Sequence, residues 1–190
     1  VAELTPLAIA VLALLNEGRM HAYEMYQVLL KRRNDRLVKV RPGSLYHTVE
    51  RLAGQELVEA TGTERAGNRP ERTTYEITPA GQQALVARVE AGIETYTYEY
   101  PLFPVVLSEA HNLEPADAVE RFRRRVEQLD RELEDLATAL AEVHERGVPE
   151  AYWIAADFNR NQLTAERDWL AGVIQRIESK ELVWLHRRKR

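Results

Sequence analysis

Cysteine is absent from this 190-residue chain, which excludes disulfides and thiolate chemistry and makes a reducing cytoplasm the expected location. Long hydrophobic runs are missing too. The apolar stretch Leu7–Leu15 is too short for a bilayer and lacks a basic leader and cleavage site, so it reads as a buried helix, not an anchor or signal peptide. The five histidines, His21, His47, His111, His144 and His186, show no metal-ligand spacing, and no metal or cofactor is expected. There is no Gly-x-Ser-x-Gly turn and no glycine-rich phosphate loop. The acidic pairs Glu132/Glu134 and Glu142/Glu145 lie in a strongly charged stretch where solvated carboxylates are ordinary. An enzyme is therefore not expected. Excess positive charge is also lacking: a net charge of −4 argues against a protein that coats nucleic acid indiscriminately.

The distribution of that charge matters more than its sum. Residues 1–80 hold eleven Lys/Arg against ten Asp/Glu, whereas residues 81–190 hold fifteen against twenty. Any surface for a polyanion is then local and N-terminal, with Lys31, Arg32, Arg33, Arg36, Lys39, Arg41, Arg51, Arg65, Arg69 and Arg72 as its cations. The chain is long enough to bury a substantial core in one large or two small domains.

The most informative stretch is 41–58, RPGSLYHTVERLAGQELV, followed by the basic run 62–72, GTERAGNRPER. Pro42 suits a first helical position, Leu45, Val49 and Leu52 recur at helical spacing, and Gly54 marks an end. Ser44, Tyr46, His47, Glu50 and Arg51 are left on other faces, available to phosphates or base edges. The basic run lies between two strand-like segments, Leu57–Ala60 and Thr73–Ile77, and reads as a hairpin tip. A helix followed by a basic hairpin is the pattern of a winged-helix DNA reader.

Other elements frame it. Thr5 caps a first helix that starts at Pro6, with Leu4 stapled to Ile9, and Gly18 ends it. A second helix is expected over His21–Arg33, packing through Ala22, Met25, Val28 and Leu29. Leu37–Val40 alternates like a short strand. Thr78-Pro79 opens a long helix through Leu85, Val89 and Ile93. Residues 101–110, between Pro101 and the later helices, read as a bent connector or short helix. Beyond Pro115, Val119, Phe122, Val126, Leu129, Leu133, Leu136, Leu140 and Val143 are spaced three and four apart, a seam for another helix. Gly147-Val148-Pro149 ends it. A last helix spans 149–179, with Ile154, Phe158, Ala165, Trp169, Val173 and Ile177 along one side. Two long helices with such stripes suit homodimerisation, or simply packing on each other as a hairpin, or both. The expected fold is mainly α with a small β-hairpin wing. Residues 1–80 form a winged helix-turn-helix domain, 81–180 a helical dimerisation domain and 181–190 a basic tail.

Certain residues carry a further likeness. Leu12-Ala13-Leu14-Leu15 with Gly18, His21-Ala22-Tyr23-Glu24, Gly43-Ser44-Leu45-Tyr46, Arg51-Leu52, Leu57-Val58, and Arg72, Tyr75, Ile77, Thr78 and Gly81 follow in a specific order and spacing. With this set the chain resembles the PadR family of bacterial transcriptional regulators along nearly its whole length. It departs at Ala22, where members often have glycine, and at Arg41, where they often have a small hydroxyl residue. The second departure removes an expected helix cap and adds a cation beside the reading helix. The resemblance implies a homodimeric winged-helix repressor that releases its operator when a small molecule or other signal is sensed.

On that reading the Pro42 helix enters the major groove. The candidate DNA-binding residues are Tyr23, Lys39, Arg41, Ser44, Tyr46, His47 and Arg51, with Arg65, Asn68, Arg69 and Arg72 from the wing. Local capping by Ser44 and ring packing by Tyr46 or Tyr23 are the bland alternatives. Val119, Phe122, Val126, Leu129, Leu133, Leu136, Trp169 and Val173 are the candidate dimer residues. Tyr96, Tyr100, Phe103 and Trp153 are candidate effector-pocket rings, against the commoner role of aromatics as core. The partners expected are double-stranded operator DNA, a second copy of the chain and a small-molecule effector, with no membrane. The rival from another class is a winged-helix dimer that binds protein and no DNA.

Overall fold

The computed structural model describes residues 4–64 and 72–185, with the backbone alone at Thr63, Glu64 and Arg72. It forms two compact units, Val1–Tyr98 and Glu99–Arg190, each built on its own hydrophobic cluster. The fold is mainly α with a small antiparallel sheet, as the sequence pattern requires.

In the first unit, α1 runs Pro6–Glu17, and the Thr5 hydroxyl accepts from the Ala8 N–H at 3.3 Å to cap it. Leu7, Ala8, Val11, Leu12, Leu14 and Leu15 are all buried, so the apolar run is a core helix. A two-residue strand β1, Met20–His21, then enters α2, Ala22–Lys31. After α2, Arg33 takes a left-handed conformation (φ 57°) and Asn34–Arg36 forms a 3-10 turn. The strand expected over 37–40 does not form. A strand needs a ladder partner, and the central strand is already paired on both sides. That strand is β3, Arg72–Ile77, flanked by β1 and by β2, Val58–Glu64, in the order β1-β3-β2. The wing is thus three-stranded where two strands were expected. Its register shifts between Ala60 and Gly62, the kind of bulge that increases strand twist.

The reading helix α3 is Pro42–Gly54, with the expected bounds. Its Leu45, Val49 and Leu52 join Leu12, Met25 and Leu29 in one cluster, all at 1 % exposure or less. The join from wing to α4, Pro79–Glu94, is tight. Thr78 Oγ1 accepts from the Gly81 N–H at 3.0 Å and donates to the Glu56 carbonyl at 2.8 Å. A β-carbon on Gly81 would stand 2.0 Å from the Leu57 carbonyl oxygen. Only glycine fits there, which accounts physically for the Ile-Thr-x-x-Gly spacing. The compact unit keeps α4 and ends at Tyr98, beyond the expected domain limit at residue 80.

The second unit holds α5, Leu102–Ser108, a 3-10 turn Ala110–Asn112, α6, Pro115–Glu145, a 3-10 turn Glu150–Tyr152, and α7, Ile154–Glu178. Gly147, at φ 65°, lets α6 stop sharply: its N–H and that of Val148 donate back to His144 and Val143. The packed face of α7 differs from the expected stripe. Leu170, Val173, Ile174 and Ile177 are buried, but Ile154, Phe158 and Trp169 are at least half exposed. A run of i+4 steps rotates about 40° per step on a 3.6-residue helix, so one such run crosses from one face to another. Two residues of the expected basic tail, 181–190, join the core while Val183 and Leu185 stay exposed. Leu182 and Trp184 pack on the cluster, and the Trp184 indole donates to the Leu113 carbonyl at 3.0 Å and meets Phe122 edge-on. The remaining tail, 186–190, lies outside the described residues.

Candidate nucleic-acid interface

On α3 the buried side chains Leu45, Thr48, Val49 and Leu52 fix which residues face out. Gly43, Ser44, Tyr46, His47, Glu50 and Arg51 are all exposed. Thr48, although buried, is satisfied by donating to the Ser44 carbonyl at 2.7 Å. Arg41 stands at the N-cap and makes no side-chain cap bond, so the first-turn N–H groups receive none from it. Those N–H groups and the exposed Arg41 and Lys39 give the start of α3 a positive character.

The expected contact residues outside the wing tip have definite settings. Tyr46 is 46 % exposed and Tyr23 54 %, so neither ring is a core anchor. Tyr23 lies on the first turn of α2 and lines a groove of about 300 Å³ with His21, Glu24 and Gln27. Arg51 does not simply project into solvent: its guanidinium donates to Thr5 Oγ1 at 3.1 Å, tying the reading helix to the cap of α1. His47 lies 3.4 Å from the Glu50 carboxylate. Arg32 is held by Glu17 through two bonds of 2.6 and 2.7 Å, and this pairing holds the Glu17 carboxyl below the usual carboxylate range. Arg65, Asn68 and Arg69, and the Arg72 side chain, lie outside the described residues. At the base of the wing, His21 Nδ1 meets Thr74 Oγ1 at 3.2 Å, linking the start of α2 to β3. Glu50, one of the outward residues of this helix, was not among the candidate DNA-binding residues. Its spacing of three from His47 was the available signal.

The candidate dimer residues are largely used inside one chain. Val119, Phe122, Leu129 and Val173 are buried between α6 and α7, while Val126, Leu133 and Leu136 are half-buried. Trp169, half exposed, is the member of the set with most surface left for a partner. Large apolar side chains outside the set are freer: Leu102, Val105 and Val106 on α5, and Ile154 and Phe158 on α7. Of the candidate effector rings, Tyr96 falls in the first unit and Tyr100, Phe103 and Trp153 in the second. Phe103 lies beneath the Arg125 guanidinium, 3.5 Å from the ring centre, and Arg125 Nε donates to Glu166 at 2.5 Å. The Trp153 indole donates to the Val148 carbonyl at 3.0 Å, a bond that fixes the turn between α6 and α7. Tyr96 and Tyr100 are more than four-fifths exposed. Among the described residues no helix is long and apolar enough to cross a membrane.

Residues 11–87 match the model of the transcriptional regulator PadR-like family. No curated protein sequence matches the chain. Solved structures do. PadR from Bacillus subtilis in complex with operator DNA superposes at a TM-score of 0.75 with 16% identity, covering 90% of this chain and 97% of that one. The same protein in complex with p-coumaric acid gives 0.72 and 14%, covering 92% and 98%. A PadR-like regulator from Bacillus cereus gives 0.67 and 15%, covering 92% and 99%. At such identities the likeness establishes a shared fold.

Proposed function

We propose that this chain, whose residues 11–87 match the model of the transcriptional regulator PadR-like family, is an effector-responsive repressor that binds an inverted-repeat operator as a homodimer. One observation carries the DNA reading: the solvent face of α3 is formed by polar and glycine residues with Tyr46, while its other face is locked into the core. A helix about 10–12 Å across fits the major groove of about 12 Å. Ser44, Tyr46 and His47 would meet base edges or phosphates. Lys39 and Arg41 before the helix, Tyr23 on α2 and the wing arginines would hold the backbone, supplying affinity and little sequence choice.

A second copy would cover Trp169 with Ile154 and Phe158 on α7, and Leu102, Val105 and Val106 on α5, because so many large apolar side chains rarely stay open in water. A small effector fits the same scheme. Bacillus subtilis PadR has been solved with p-coumaric acid, and Tyr100, Phe103 and Trp153 offer rings in this chain's second unit.

Selection of bound duplexes from random-sequence DNA tests these points together. The expected product is an inverted repeat with half-sites one or more turns apart, about 34–36 Å per turn, bound less tightly as salt rises. Absence of binding at low salt would favour the rival, a dimer that engages another protein.

A further inference from the structure

Glu50 lies on the line of α3 that points furthest from the head core. At about 100° per residue, the buried Leu45, Thr48, Val49 and Leu52 centre one face, and Gly43, His47, Glu50 and Gly54 fall opposite it. Ser44 and Arg51 flank this ridge on one side and Tyr46 on the other. Open space surrounds the positions where β-carbons on Gly43 and Gly54 would stand. The ridge therefore presents two functional groups, an imidazole and a carboxylate, 3.4 Å apart and 83% and 69% exposed. Exposed pairs of this kind add little stability, so a structural role does not account for a carboxylate at the centre of a face that is to meet a polyanion.

We propose that Glu50 is a specificity-determining residue of the operator contact: its carboxylate accepts from the N4 amino group of a cytosine and turns the His47 ring so that Nε2 faces the neighbouring base. The inference rests on the reading that α3 enters the major groove. A carboxylate is an acceptor only, and the amino group of cytosine is a donor it can meet in that groove. Against phosphates it is repulsive. Glu50 thus weakens contact with every duplex and is compensated only where an amino group stands in register, a discrimination made by penalising wrong partners. His47 alone would not discriminate in this way, because its ring can donate or accept.

The test uses the full-length protein and its Glu50→Gln and Glu50→Ala variants, each put through selection from random-sequence duplexes and titrated against one mixed-sequence duplex. Substitution of so exposed a side chain leaves the head core intact. With Glu50→Ala, preference for cytosine at one position of each half-site should fall about tenfold. Affinity for the mixed duplex should rise severalfold. With Glu50→Gln, the preferred base there should move toward adenine, which glutamine recognises through N6 and N7. If wild type selects a site and both variants select the same base at every position with unchanged mixed-duplex affinity, the role of Glu50 is overturned and the DNA reading stands. If wild type binds no duplex even at low salt, both fall.

Discussion

The two compact units hold themselves together by different means. The head buries fourteen hydrophobic residues in one cluster, and Ala8, Val11, Leu12, Met25, Leu29, Leu45 and Leu52 are fully excluded from water. Among its described residues the helical unit buries nine in its cluster, and of these only Ala118 and Leu170 are fully excluded. Its surface instead carries ion pairs, among them Arg123–Glu178, Arg124–Glu120 and Arg160–Asp157, each substantially exposed. Such pairs contribute between nothing and about 1 kcal/mol. The comparison teaches that the head is a finished core in one copy, whereas two long helices alone bury comparatively little and leave Ile154, Phe158 and Trp169 in solvent. All three tryptophans, Trp153, Trp169 and Trp184, lie in the second unit, so their fluorescence reports on that unit and far-UV circular dichroism on both.

The sharpest way to break the comparison is Gly81→Ala. The added carbon would meet the Leu57 carbonyl oxygen at 2.0 Å and the Ile77 side chain at 2.8 Å. The nearer of these is backbone, already fixed as acceptor for the Thr78 N–H. Overpacking of this kind costs about 3 kcal/mol. The dichroism transition of the head should move to lower urea while the tryptophan transition keeps its midpoint. Movement of both together would show one cooperative unit and remove the distinction drawn above.

Gly81 also shows what the sequence could tell. Its role was legible as a spacing, Ile77-Thr78-x-x-Gly81, but the close approach of Leu57 that enforces it was not, because that contact spans twenty-four positions. The bounds of α3 were readable because a proline, a three-and-four apolar spacing and a terminal glycine all agree. β1 was missed because two residues carry no periodicity; it exists only through pairing Met20 with Tyr75 and His21 with Thr74. The α6 stripe was legible as a seam, but not which helix fills it. A spacing of three and four is the same for a helix of the same chain and for one of a partner, and Val119, Phe122 and Leu129 turned out to be covered from within. Arg51 is the corresponding case in the head. Its charge suggested phosphate contact, and only the fold brings it to Thr5, forty-six residues away.

A smaller effect should come from the end of the second unit. Trp184 joins Phe122 and the Leu113 carbonyl, closing the cluster where α6 begins. Trp184→Ala removes a half-buried ring and leaves that carbonyl to water, a loss of about 2 kcal/mol. The tryptophan transition, read from Trp153 and Trp169, should then fall in urea while the head's dichroism step holds. This is the mirror image of the Gly81 result. If neither step moves, residues 182–185 contribute nothing to the core and belong with the basic tail.

The smallest effect lies in the Glu17–Arg32 ion pair of the head. Glu17, at the end of α1, accepts two bonds from Arg32 at the end of α2, and those bonds with the nearby charge hold its carboxyl below the usual range despite some desolvation. A group whose folded-state pKa is lowered stabilises the fold above its unfolded value and loses that contribution as pH falls through the folded one. Both side chains are about half exposed, so screening keeps the contribution under about 1 kcal/mol. Wild type should therefore exceed Glu17→Gln in stability near neutrality, by a gap that stays constant down to about pH 5 and closes on further acidification. The measurement is the dichroism midpoint of each protein in urea across that range. A gap that persists unchanged to pH 3 would mean that the difference between the two proteins does not come from the charge of the Glu17 carboxylate, and that the head owes nothing to its ionisation.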